Sequence, residues 1–93
     1  MNTIHKYPLT QTGEQMISSH QDAEFLDVQV QNDEACLWAM VDPSKPRCIY
    51  TIRIYGTGHT VHEEYLKHLG TFQMMDGRFV GHVFLQLPVP RAT

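Results

Sequence analysis

Positive charge is scarce and dispersed in this sequence. Lys6, Lys45, Arg47, Arg53, Lys67, Arg78 and Arg91 face ten acidic residues, for a formal net charge of −3. Nucleic-acid duplexes are gripped by clustered cations that neutralise phosphates, so general nucleic-acid binding is not expected. Long apolar runs are missing too. Nothing approaches the ~20 residues that span a bilayer, and the N-terminal MNTIHKYPLT has no apolar signal region, so a soluble, cytoplasmic chain with no membrane partner is expected. The only cysteines, Cys36 and Cys48, form no C-x-x-C pair and read as buried free thiols. Three serines (Ser18, Ser19, Ser44) fall in no nucleophile elbow, and no catalytic motif appears elsewhere.

What is present is a globular composition, 42% hydrophobic and 18% charged over 93 residues. That length fits one domain, residues 1–93, with 88–93 as a loose tail. A domain this small buries only roughly two thirds of its unfolded surface, so self-association would add stability.

Proline and glycine divide the chain into short segments with the two-residue period of strands. Thr3–Leu9 puts Ile4, Lys6 and Pro8 on one side, and Pro8, lacking a backbone donor, places the strand at an edge or ends it there. Glu14–Ser19 is a weaker strand. Phe25–Gln31 alternates Leu26, Val28 and Val30 against Asp27, Gln29 and Gln31. Asn32-Asp33 is a turn signal, and Cys36–Val41 is apolar on both faces, as in a central strand with Trp38 in the core. Arg47–Tyr55 alternates again. Asp76-Gly77 predicts a primed hairpin turn that sets Met74 opposite Phe79, Phe72 opposite Gly81 and Thr71 opposite His82. Only His62–Leu69 has helical spacing, with Thr60 as its cap. The expected fold is all-β and mainly antiparallel: a small β-sandwich or partly open barrel of six or seven strands, with at most one short helix near 62–69.

The stretch Ile54–Tyr65, IYGTGHTVHEEY, holds the densest polar chemistry. Gly56 and Gly58 would let backbone N–H groups approach an anion, but the lysine of a P-loop and the third glycine of a dinucleotide fingerprint are absent. His59, His62, Glu63 and His68 are metal-ligand types, yet their order is not the His-Glu-x-x-His of a zinc helix. A strand end and turn is the reading these residues favour, on a loop richer in hydrogen-bonding groups than a turn needs.

The segments IHKYPL (Ile4–Leu9), VQVQN (Val28–Asn32), LWAMVDP (Leu37–Pro43), RIYGTGH (Arg53–His59), GTFQM (Gly70–Met74) and GHVF (Gly81–Phe84) resemble a family of small uncharacterised accessory proteins of tailed bacteriophages and prophages. The resemblance implies expression in the cytoplasm of an infected bacterial host, and it carries no catalytic residues. The resulting expectation is a non-enzymatic binding protein without cofactor or metal that counters a bacterial defence or host factor. Its expected action is to sequester a nucleotide-type signalling molecule as a homo-oligomer. The candidate ligand-binding residues are Arg47, Arg53, Tyr55, Gly56, Thr57, Gly58 and His59. The alternatives are a protein–protein inhibitor or minor virion or assembly protein, and, less favoured, a small metal-dependent hydrolase.

Overall fold

The computed structural model describes residues 1–10 and 12–90. Seven strands form two antiparallel sheets in a small β-sandwich, with no helix among the described residues. The strands are β1 (Thr3–Pro8), β2 (Gly13–His20), β3 (Glu24–Gln31), β4 (Glu34–Val41), β5 (Arg47–Gly56), β6 (Leu66–Met74) and β7 (Phe79–Gln86). One sheet runs β1-β4-β3, and the other runs β2-β5-β7-β6.

Alternation builds the core. Leu37, Ile52, Val83, Ile54, Phe72, Val28 and Ile17 turn inward and are all at least 96% buried. Each such side chain contributes about 1.5–3 kcal/mol relative to an exposed one. β4 is the central strand of its sheet, and β1 is an edge strand ending at Pro8. The β3–β4 connection is a two-residue turn, Asn32 and Asp33, both at positive φ, between the paired Gln31 and Glu34. The β6–β7 hairpin keeps the expected register, with Thr71 opposite His82, Phe72 opposite Gly81 and Met74 opposite Phe79. Its left-handed backbone begins one residue earlier than expected, at Met75, and continues through Asp76 and Gly77. Gly81 is required here: a Cβ would lie 2.4 Å from the Phe72 ring that covers it.

Three local expectations need correction. His62–Leu69 is not a helix. Tyr65 has φ 59°, which breaks a helical path, and Leu66 opens β6 opposite Gln86. Two turns cannot hold themselves together in isolation, whereas pairing with β7 satisfies the same backbone groups. In β3 a bulge between Phe25 and Asp27 shifts the phase. Phe25 therefore packs against the core while Leu26 is exposed. Trp38 lies on the outer face of β4 and is only half-buried, because its inward neighbours are Leu37 and Ala39. Of the two free thiols, Cys36 is buried and Cys48 half-buried. Pro88–Pro90 are exposed and outside any strand, and the rest of the expected tail lies outside the described residues.

Candidate functional site

β5 supplies the frame. Ile52 and Ile54 point into the sandwich, so Arg53 and Tyr55 point outward. β2 pairs along β5 only as far as Gly13 opposite Ile54. Tyr55 and Gly56 therefore run on with no β2 residue beside them. His59 takes that place. The Gly56 N–H donates to His59 Nδ1 at 3.1 Å, and the His59 N–H donates to the Gly56 carbonyl at 3.1 Å. Nδ1 is thus the acceptor, which assigns the ring proton to Nε2. The ring rests on Gly56, where a Cβ would meet it at 2.9 Å.

The loop then returns to bring Glu63 over β5. The Tyr55 hydroxyl donates to Glu63 Oε2. Arg53 Nη1 lies 2.9 Å from Glu14 Oε2 and 3.6 Å from Glu63 Oε1, while its Nε–H donates to Gln86 Oε1 at 2.9 Å. Burial, reinforced by the Glu63 carboxylate, pushes the Tyr55 hydroxyl up to about 12. The Tyr55 hydroxyl in turn, with backbone N–H groups and Arg53, holds Glu63 below the usual carboxylate value.

These groups border an open recess of about 350 Å³, completed by Thr12, Gly13, Thr60 and His59. One guanidinium faces two carboxylates, so the recess is net negative with His59 neutral.

Of the residues singled out from sequence, Arg53, Tyr55 and His59 come together here. Gly56 and Gly58 serve the turn, Gly58 at φ 90°. Thr57 faces elsewhere, with its hydroxyl 2.8 Å from His82 Nε2. Arg47 does not join them: six residues of strand put it about 20 Å from Arg53. Its guanidinium is engaged with Ser18 Oγ at 3.0 Å, the Ser18 carbonyl at 3.2 Å and His20 Nε2 at 3.4 Å. His59, His62, Glu63 and His68 do not converge, and no group of three potential metal ligands forms among the described residues. His68 instead bonds Thr71 Oγ1 at 3.0 Å and packs against Phe84. Sequence reasoning missed Thr12, Glu14 and Thr60. The signal for Glu14 was its charge opposite Arg53, which becomes visible only once β2 is paired with β5.

The family model described as Domain of unknown function (DUF7352) matches residues 1–92. The chain belongs to that family. No curated protein and no solved structure matches it. All seven strands and the whole recess fall within the span that defines the DUF7352 domain. No helix of the described residues is long and apolar enough to cross a membrane.

Proposed function

We propose that this DUF7352 chain is a binding protein whose ligand site is the recess between Gly13–Glu14, Arg53–Tyr55 and His59–Glu63. The observation that carries this reading is the interlocked set Glu14–Arg53–Glu63–Tyr55. Its members are held by one another before any ligand arrives, which lowers the ordering cost of binding. The same contacts support a role for each residue. Arg53 sets the spacing of the two carboxylates, Tyr55 orients Glu63, and His59 keeps the end of β5 closed while offering Nε2–H as a donor.

Charge selects the ligand. A phosphate would have to displace Glu14 or Glu63 from Arg53, and it would meet the remaining carboxylate. A ligand presenting an ammonium group to the carboxylates and a hydroxyl or carbonyl to Thr12, Thr60 and His59 fits without that displacement. The geometry thus favours a small cationic ligand that also bears a hydroxyl or carbonyl over the nucleotide-type signal expected from the sequence. A role in countering a bacterial defence or host factor rests on the bacteriophage resemblance alone.

Thermal melting against ethanolamine, glycinamide, adenosine monophosphate and a cyclic dinucleotide tests this. A ligand at 100 times its Kd stabilises by about 2.7 kcal/mol. The expected result is a shift with the amines that Glu63→Gln reduces, and none with the nucleotides. A shift with nucleotides alone, or none with any of the four at millimolar concentration, overturns the reading.

A further inference from the structure

β5 is paired unevenly. On the β2 side it is bonded along its length, from Arg47 opposite His20 to Ile54 opposite Gly13. On the β7 side pairing covers only Ile52–Gly56, against Leu85–Gly81. The direction of the free backbone groups follows from two bonds. The Gly56 N–H goes to His59, away from β7, so the odd-numbered residues of β5 point their groups towards β7. Independently, the Leu87 N–H goes to the Tyr65 carbonyl on the β6 side, so the even-numbered residues of β7 face β5. Continuing the register of Ile52 with Leu85 places Pro88 opposite Ile49 and Pro90 opposite Arg47. These are the two positions where β7 would have to donate an N–H, and proline has none.

The consequence is a gap in the sheet. Ile49 has no backbone partner on that side among the described residues, and its side chain is 60% exposed. Here β5 and the end of β7 border an open cleft of about 470 Å³, lined by Ile49, Tyr50, Leu85, Leu87 and Pro88 among others, none of them charged.

We propose that this cleft is a docking slot for an extended, uncharged, apolar segment of a partner protein, which pairs with the free backbone of β5 at Arg47–Ile49. The free N–H and C=O groups recur every second residue, a spacing of about 7 Å that an extended backbone matches. The apolar walls receive its alternate side chains. A second copy of this chain does not fit by antiparallel β5–β5 pairing centred on Ile49, because its Thr51 would face Arg47 from the place beside which its own Gln86 stands. The slot is separate from the recess and does not depend on what the recess binds.

Amide exchange and peptide titration by NMR test the proposal. In the free protein, the Ile49 amide should exchange far faster than that of Arg53, which faces β7 in a paired segment. The probe is the neutral peptide acetyl-Thr-Val-Thr-Val-Thr-amide, which should shift the Ile49 and Leu87 signals and slow exchange at Ile49. A twin N-methylated at every amide should bind at least about tenfold more weakly, the loss of two or more hydrogen bonds. The double substitution Pro88→Thr/Pro90→Thr should let β7 zip onto β5, protect Ile49 and abolish peptide binding. A protected Ile49 amide in the free protein overturns the proposal. So does equal binding of the methylated twin, or no shift at millimolar peptide. A dimer that Pro88→Thr/Pro90→Thr dissolves would assign the slot to a second copy and overturn the foreign segment.

Discussion

Ser19 gives the sharpest test of how the two sheets are joined. Its side chain is fully buried, and its Oγ lies 2.6 Å from the Tyr7 hydroxyl, linking β2 of one sheet to β1 of the other. Among the described residues the only other partner of the Tyr7 hydroxyl is His5 Nδ1, at a long 3.5 Å. Ser19→Ala leaves that hydroxyl poorly satisfied in a partly buried place, which costs about 1–3 kcal/mol. Tyr7→Phe leaves the buried Ser19 hydroxyl unpaired at a similar cost. The double variant removes both polar groups together, so it should be less destabilised than the two single losses added, with a coupling of about 0.5–3 kcal/mol. For a domain of this size, each kcal/mol lowers Tm by roughly 4–8 °C. Urea titration followed by the fluorescence of Trp38, the sole tryptophan, measures all four proteins. The hydrogen bond would be refuted as a structural link if Ser19→Ala cost under about 0.5 kcal/mol, the range of a surface change, or if the single losses simply added.

Further outcomes follow from the Tyr55–Glu63 pair and from the Gly81–Phe72 contact. The Tyr55 hydroxyl is stabilised in its neutral form, so its contribution is complete below the ordinary tyrosine value of 10.0 and is lost as pH rises through about 12. Glu63 is stabilised as the carboxylate, so its contribution is complete above the ordinary 4.5 and is lost as pH falls through its lower folded value. The absorbance titration of the native protein minus that of Tyr55→Phe isolates Tyr55 from Tyr50, which burial also raises; a midpoint near 10 would disprove the pairing with Glu63. Separately, Gly81→Ala drives a methyl into the Phe72 ring and should cost about 1–3 kcal/mol by urea unfolding, partly recovered by Phe72→Leu; unchanged stability would contradict the contact.

Much of this architecture is written in short stretches of chain. Strand alternation, the edge position forced by Pro8, the turn at Asn32-Asp33 and the β6–β7 register all depend on residues within a few positions of one another, where dihedral preference and side-chain direction act directly. Where local preference competed with a distant partner, the partner prevailed: His62–Leu69 yields its helical spacing to pairing with β7, and a bulge turns Leu26 outward. The recess belongs wholly to that second category. Arg53, Tyr55 and His59 could be singled out from IYGTGH, but not the carboxylates that reverse the local charge. Glu14 reaches Arg53 because β2 and β5, separated by two strands of the other sheet, meet in one register, and Glu63 because the following loop folds back. Arg47, equally prominent in sequence, is carried by the straight rise of β5 to the far end of the strand. A linear pattern specifies which way each side chain points; only the pairing of distant strands decides which charges share a space.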